Sequence, residues 1–452
     1  TGEMIKGHVI LGSQRVRQDR MIFEGLAGTA ATGTGRDDDP VELSLDRIRQ
    51  LSAHEVGHAL GFGHNFAASS NDRASVMDYP APWVRVSNGS LDFSRAYDDG
   101  IGDWDRFTTR WLYSEFPPGT DESAALDAIL TEAFDAGLIY IADEHGRSAS
   151  TAHPKASVWD NGSDAVDELR QVLAVRSHAL ERFGPDRIAA GQPMSELREV
   201  LVPIYLYHRY QVDAAAKSLA GVRFEYGKRG QPFKPPAPVD RDQQIRALNA
   251  LLDTLAPAQL DLPDSAIRAL APGTRGFGFA SAPPERLASR TEPAFDLFTA
   301  AESAADITLT ALLDPRRTER LVRQSALATD LPSLDFVIDS IKNRVTESIR
   351  RAESGRTRLI AQRVAARYAA ALMGLDGTAA SPEVRAGARQ GLRSLIDALP
   401  RNTDGAFAAW LNGLIDAHLS RPGPPLDPLP TGPTIPQGSP IGTATAEGCW
   451  HC

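Results

Sequence analysis

Beyond residue 120, apolar residues recur every three or four positions, which is the spacing of a helix that buries one face. The clearest stripe carries charged residues on the opposite face and consists of Leu334, Ile338, Ile341, Val345 and Ile349. Similar spacing predicts helices at 124–136, 165–183, 194–220, 241–255, 359–375, 382–399 and 404–419. We expect Pro203 to kink or split one of them, because proline has no amide hydrogen to donate. This part of the chain is therefore predicted to be mainly helical.

The first 118 residues follow a different pattern. Apolar and polar residues partly alternate over 5–16, which predicts a β-strand, whereas 26–39 are rich in Gly, Thr and Asp and predict a loop. Asp39 and Pro40 then predict the start of a long helix, with Asp39 as its N-cap and Pro40 in the first helical position. The remainder is predicted to be an irregular stretch followed by a short closing helix, at 65–100 and 103–113.

Clusters of proline and glycine divide the chain into four predicted regions, at 1–118, 119–260, 261–420 and 421–452. The first is expected to combine strand and helix, the next two to be helical, and the last to be an exposed Pro/Gly-rich tail. A length of 452 residues exceeds what one ordinary core needs, which favours more than one domain. The predicted fold class is α+β, with a large mainly α-helical region after the first domain.

The composition argues against two classes of protein. The net charge is −10, so the chain lacks the basic balance expected of a nucleic-acid-binding protein. No run of 18 or more apolar residues occurs, so no transmembrane segment is predicted. Hydrophobic residues make up 42% and charged residues 23%, values that are normal for a globular protein.

The sequence HEVGHALGFGH, which begins at His54, predicts a metal site. On a helix, His54 and His58 lie on the same face, where both imidazoles can bind one ion. Gly61 permits the positive φ with which the chain leaves the helix and brings back His64 as a third ligand. Three imidazoles on Zn²⁺ leave one position open, as in catalytic zinc sites. Glu55 stands beside the first ligand, where its carboxylate is placed to take a proton from a water molecule.

The alternative interpretation is a buried helix whose histidines only bond to their neighbours. Histidine accounts for 10 of 452 residues, and this scarcity weighs against a chance match to the full motif. Two further candidates, Met77 and Tyr79, follow in the stretch SVMDYP. Read on their own, Met77 is an ordinary core methionine and Tyr79 a structural ring in a proline-terminated turn.

Together, the long histidine motif and SVMDYP resemble the signature of the metzincin clan of zinc endopeptidases. The resemblance implies that Met77 forms an apolar floor, the Met-turn, beneath the imidazoles. It also implies that Tyr79 either binds zinc or hydrogen-bonds the tetrahedral intermediate. Residues 1–118 would then be the C-terminal part of a metzincin-like catalytic domain. We expect that an N-terminal part of this domain, including most of its sheet, is missing from the sequence.

Within the clan, the chain resembles a family of large bacterial zinc-dependent metalloproteases. The similar segments are GHVILGS from Gly7, RVRQD from Arg15, YDDGIGDWD from Tyr97, WD at Trp159, YHRYQ from Tyr207 and LDP from Leu313. The resemblance thus covers most of the chain and implies a secreted or periplasmic location. Only the histidine motif and the Met-turn are specific enough to imply chemistry.

The leading hypothesis is a zinc-dependent endopeptidase that acts on a peptide or protein substrate. Zinc on His54, His58 and His64 would activate a water molecule, and Glu55 would take its proton and pass it to the leaving amine. Zinc, with Tyr79, would stabilise the oxyanion. An extended peptide is expected to pair with a strand edge at 7–13.

Two other functions stay open. One is a helical interaction scaffold whose zinc site is structural or inactive; the other is a metal-dependent hydrolase acting on a non-peptide substrate. The long helical region favours a scaffold, whereas Glu55 argues against it, because a structural site needs no carboxylate there. The sequence leaves the oligomeric state and the cleavage preference open.

Three residues outside the motif have weaker signals. His208 lies among tyrosines and either lines a substrate cleft or is a satisfied structural histidine. Cys449 and Cys452 form a CxxC pair, which elsewhere serves redox chemistry or half of a zinc site. No second pair or βαβ pattern accompanies them, so we favour an incidental tail or a local disulfide and assign them no metal.

Overall fold

α-Helices form most of the fold in the computed structural model, which describes residues 4–11, 13–229, 234–273, 286–377 and 380–421. The first part of the chain contains α1 (Ser13–Ala27), α2 (Pro40–Ala59), β1 (Arg85–Ser87), β2 (Ser90–Asp92) and α3 (Asp103–Tyr113). The middle part contains α4 (Glu122–Asp135), α5 (Asp143–Gly146), α6 (Ala165–Glu181), α7 (Leu197–Tyr205), α8 (Arg209–Ala216), β3 (Val222–Arg223), β4 (Ala237–Pro238), α9 (Arg241–Asp253), α10 (Pro257–Leu260) and α11 (Asp264–Ala269). The last part contains α12 (Leu297–Leu312), α13 (Pro315–Leu327), α14 (Leu334–Arg350), α15 (Gly355–Asp376), α16 (Pro382–Ala398) and α17 (Gly405–Leu419). The predicted α+β class with a large helical region is confirmed.

The strand predicted at 5–16 is wrong. Residues 4–11 have no regular secondary structure, and α1 starts at Ser13. Asp19, Phe23 and Leu26 are buried at intervals of four and three, so the helical period prevails over the partial alternation. Helix α1 packs against α2 and α7. The strand edge expected at 7–13 for substrate pairing is therefore not formed by the described residues of that segment.

Helix α2 begins as the sequence predicts. Asp39 is its N-cap and accepts a hydrogen bond from the Val41 amide at 2.9 Å, with Pro40 in the first helical position. The same carboxylate accepts from the amides of Gly33 and Gly35 at 3.0 and 2.8 Å. Asp39 thus fixes both the start of α2 and the loop that precedes it.

The stretch at 65–100, predicted to be irregular, contains a 3₁₀ turn at Ala68–Asn71 and the antiparallel hairpin of β1 and β2. Asn88 and Gly89 connect the two strands, both with positive φ, as a two-residue hairpin turn requires. Arg85 in β1 makes two hydrogen bonds to Glu168 in α6, at 2.8 and 2.6 Å. The hairpin thereby joins the N-terminal part to the helical region.

The periodic helices are confirmed with small shifts of their ends. The exception is 194–220, which is divided into a 3₁₀ turn at Met194–Glu196, α7 and α8; α7 contains Pro203 and ends two residues later. Helices α12 and α13 were not predicted. Most residues of α12 are buried, so the helix lacks the polar face on which the periodic signal depends.

The largest cluster of buried apolar side chains within the described residues extends from Phe23 in α1 to Ile415 in α17. It therefore includes residues on both sides of 118 and of 260, although the division into four regions stays a prediction. None of the described helices combines the length and the apolar character needed to cross a bilayer. The predicted tail at 421–452 lies outside the described residues except for Arg421, and so do Cys449 and Cys452.

Candidate metal centre

The C-terminal end of α2 and the turn after it bring three imidazoles together. His54 and His58 lie on α2, which ends at Ala59. Gly61 has φ 91°, the positive value expected from the sequence, and it redirects the chain so that His64 returns to the helix. One ring nitrogen from each of the three histidines lies within 4.8 Å of the others. The two closest, Nε2 of His58 and Nε2 of His64, are 3.2 Å apart.

Each imidazole has an acceptor at its other nitrogen. His54 Nδ1 lies 2.6 Å from the Val76 carbonyl oxygen, and His58 Nδ1 lies 2.9 Å from that of Phe62. His64 Nδ1 lies 3.1 Å from a carboxylate oxygen of Asp143. The two carbonyl oxygens and the carboxylate only accept, and Asp143 lies nearer to His64 Nδ1 than the donor Arg147 Nη2 does, at 3.1 against 3.5 Å. Each Nδ1 therefore carries the hydrogen and each Nε2 keeps a free lone pair. This is the donor set and tautomer that zinc requires, so the residues present fit the ion.

His54 and His64 are also in the neutral form that binds metal. Burial lowers the pKa of His54 to about 4. Burial lowers the pKa of His64 as well, although the hydrogen bond to Asp143 acts in the opposite direction. At neutral pH neither ring needs to lose a proton before it binds a cation.

Met77 lies directly against α2. Its side chain is buried, and it packs with Phe62 and Val76 in a small apolar cluster. A Cβ added to Gly57 would lie 2.3 Å from Met77 Sδ, so this contact needs a residue without a side chain between the first two histidines. The histidine motif places no requirement on that position, so only the structure reveals the role of Gly57.

The turn that carries Met77 is held by Asp105. One carboxylate oxygen accepts from the Ser75 hydroxyl at 2.6 Å, and the other accepts from the Val76 amide at 2.8 Å. The Ser75 hydroxyl oxygen in turn accepts from the Met77 amide at 2.9 Å. The Val76 carbonyl then remains directed at His54, so Asp105 positions the first imidazole through the backbone of the turn.

Tyr79 lies beside the histidines, where the metzincin resemblance implied that it would be. Its ring centroid is 5.3 Å from that of His54 and 4.9 Å from that of His64. The Trp159 ring stacks on the Tyr79 ring with centroids 5.2 Å apart, and the Trp159 amide donates to the Tyr79 carbonyl oxygen at 2.8 Å. The ring is therefore fixed next to the candidate metal site.

Helix α5 and its C-cap residue each add a side chain that the sequence did not single out. Asp143 accepts from His64 Nδ1, and Arg147, one turn later, forms an ion pair with Asp143 at 3.6 Å. Arg147 Nη2 also lies 3.4 Å from the Tyr79 hydroxyl oxygen. A lone Asp and a lone Arg carry no motif, and Asp143 stands 79 residues beyond His64, so no local signal pointed to them.

The other candidates are located as follows. Glu55 lies on α2 beside His54 and is partly buried, and none of the hydrogen bonds or ion pairs between described residues engages its carboxylate.

His208 precedes α8 with its side chain buried, and burial lowers its pKa well below the usual range. It is not part of the histidine cluster. Its neighbours Tyr207, Arg209 and Tyr210 line a separate cavity of about 420 Å³.

A protein-family model described as Met-zincin matches residues 36–353, well over half of the chain. The match begins just before α2 and ends just after α14. Searches of curated proteins and of solved structures gave no match.

We predict that Gly57→Ala disturbs the site, because the new methyl group occupies the place of Met77 Sδ. Overpacking of this kind typically costs about 1–3 kcal/mol of stability. The midpoint temperature of thermal unfolding should decrease, and so should the fraction of zinc retained against a chelator. Gly63→Ala is the matched control, since its Cβ would meet nothing closer than the Tyr140 hydroxyl at 3.7 Å. Equal zinc retention in the two variants would show that the contact with Met77 is unimportant.

We also predict that Asp143→Asn weakens zinc binding, because an amide accepts the His64 hydrogen less strongly than a carboxylate does. Loss of such a partner typically costs about 10–100-fold in metal affinity. Competition with a fluorescent chelator measures the change. Glu144→Gln, on the neighbouring residue of α5, is expected to leave the affinity unchanged. Equal affinities in both variants would mean that Asp143 does not orient the ligand.

Proposed function

This chain belongs to the Met-zincin family, and we propose that it is a zinc-dependent endopeptidase with Glu55 as the general base. The proposal rests on the arrangement of the three histidines and Glu55. Three imidazole nitrogens converge within 4.8 Å, and a partly buried glutamate without a structural partner in the described residues stands beside the first of them. Family membership supports a metalloprotease, and this arrangement supports catalysis rather than a structural site.

A zinc ion held by His54, His58 and His64 supplies Lewis acidity, which makes a water molecule acidic near neutral pH and polarises a carbonyl group. Glu55 accepts the proton of the attacking water and then donates it to the nitrogen of the leaving amine. Its carboxylate forms no salt bridge with the residues that the structure describes, which leaves it available for both transfers. The three imidazoles keep their orientation throughout, because their Nδ1 hydrogens stay bonded to protein acceptors.

Tyr79 is proposed to donate a hydrogen bond to the oxyanion that forms when water attacks the peptide carbonyl. Its ring lies about 5 Å from the rings of two ligands, a proximity that supports this role. Met77, buried against Gly57, would serve as the apolar floor of the site, in agreement with a Met-turn. We propose peptides or unfolded proteins as the substrates.

The first test of this function is Glu55→Gln. The amide keeps the shape of the side chain but cannot accept the proton of water, so peptidase activity should fall by about 10²–10⁴-fold. Zinc content, measured by elemental analysis, should remain that of the parent protein. Glu42→Gln, on an exposed residue of the same helix, should retain full activity. Fluorescently labelled casein serves as the substrate.

The outcomes separate the competing functions. Cleavage of casein at equal rates by the parent and the Glu55→Gln variant would rule out Glu55 as the base. A parent protein that holds zinc but cleaves neither casein nor other unfolded proteins would instead favour the interaction scaffold.

The second test concerns Tyr79. A donor to the oxyanion acts mainly in the transition state, so Tyr79→Phe should lower kcat and leave KM nearly unchanged. The expected loss is roughly 10–10³-fold, at or below the cost of removing one oxyanion-hole donor. Tyr113→Phe is the control, because its hydroxyl donates to the Leu60 carbonyl oxygen at 2.7 Å and serves only the backbone. An unchanged kcat in Tyr79→Phe would show that the ring is structural.

A further inference from the structure

The guanidinium group of Arg147 lies close to both the third histidine and Tyr79. Its Nη2 atom is 3.4 Å from the Tyr79 hydroxyl oxygen and 3.5 Å from His64 Nδ1. Its central carbon is 5.3 Å from the centroid of the Tyr79 ring and 5.4 Å from that of Phe66. Arg147 therefore contacts Tyr79 both at the hydroxyl group and over the ring.

We propose that Arg147 is a positioning residue, which directs the hydroxyl hydrogen of Tyr79 toward the substrate oxyanion. The inference rests on the proposed peptidase function and extends it to a residue outside the histidine motif and the Met-turn. It also makes α5 part of the active site, since Asp143 and Arg147 orient different members of it.

The hydrogen-bonding capacities of the guanidinium and phenol groups explain how Arg147 directs the Tyr79 hydroxyl hydrogen. A phenol has a single hydrogen to donate, and its oxygen also accepts, whereas a guanidinium group only donates. When Arg147 donates to the Tyr79 oxygen, the phenolic hydrogen must point to another acceptor. The neighbouring acceptor in the reaction is the oxyanion.

The backbone that carries Arg147 is firmly held. Gly146 packs on Phe66, and a Cβ at Gly146 would lie 3.1 Å from two Phe66 carbons. Phe66 in turn stacks on the His64 ring, with centroids 5.0 Å apart. The buried Lys217 donates to the Gly146 carbonyl oxygen at 2.7 Å. These contacts give Arg147 a defined place relative to both His64 and Tyr79.

Besides its ion pair with Asp143, Arg147 has a competing role at this location, which is to bind a carboxylate of the substrate. The two roles differ in kinetics. A substrate anchor contributes to binding in the ground state, so its loss raises KM, whereas a group that acts through Tyr79 affects the transition state and lowers kcat. Only the second role requires the Tyr79 hydroxyl.

The kinetic experiment compares Arg147→Met in the parent and in the Tyr79→Phe background. Methionine keeps much of the side-chain length but neither donates nor carries charge. In the parent background, kcat should fall about 10–100-fold with little change in KM, no more than the loss of the tyrosine donor itself. In the Tyr79→Phe background, the same substitution should have almost no further effect, because the group through which it acts is absent. Arg350→Met, on an exposed arginine of α14, is the control.

A second measurement detects the contact without zinc or turnover. The chain contains nine tyrosines, so 3-fluorotyrosine labelling gives a fluorine NMR spectrum simple enough to assign. The resonance that disappears in Tyr79→Phe identifies Tyr79. In zinc-free protein, this resonance should shift in Arg147→Met and stay in place in Arg350→Met.

Each result supports or overturns the inference. A shifted resonance and a non-additive loss of kcat support it. An unshifted resonance, equal losses in both backgrounds, or a change confined to KM overturns it. A failure of the peptidase function is distinguishable, because the parent protein would then be inactive on casein while the fluorine resonance still reports the contact. A shifted resonance with full activity in Arg147→Met would show that the contact exists but does not position a catalytic group.

Discussion

The candidate metal centre depends on the close contact between α2 and the turn around Met77. The Val76 carbonyl oxygen accepts from His54 Nδ1 and also from Gln50 Nε2, at 2.6 and 3.2 Å. The same turn brings Met77 against the bare backbone of Gly57. One backbone segment thus sets the tautomer of the first ligand and fills the space beneath it. Because protein interiors are close-packed, the turn cannot move without moving the histidine.

Buried ionisable groups then tie this turn to the helical region. Burial raises the pKa of Asp78 well above its usual range and that of Asp160 to about 7, and it lowers the pKa of Lys217 to about 8. Each group attracts or repels the others, and Lys217 is further satisfied by the carbonyl oxygens of Gly146 and Ala156, both at 2.7 Å. Removing one partner from such a group leaves a buried polar or charged side chain without compensation, which is destabilising. The electrostatics therefore favour a fixed arrangement of the turn, α5 and α8.

Sequence reasoning succeeded where the determining interactions are local. The N-cap at Asp39, the positive φ of Gly61 and the clustering of the three histidines all follow from residues a few positions apart. It failed where packing between segments that are far apart in the sequence determines the secondary structure or the composition of the site. Partial alternation near the N-terminus suggested a strand, but the buried side of α1 is set by α2 and α7. Asp143 and Arg147 had no spacing to reveal them, because they reach the site only through the fold.

Contacts between the helical region and the histidine site suggest a role for the many helices that follow the histidine motif. An interaction scaffold would need these helices for a partner and would leave the zinc site independent of them. Instead, Asp143 orients His64, Trp159 stacks on Tyr79, and Lys217 holds the carbonyl oxygen next to Arg147. All three lie beyond residue 118, where the predicted catalytic region ends. The helical region thus completes the surroundings of the ligands, and a fragment limited to residues 1–118 would lack the acceptor of one of its three imidazoles.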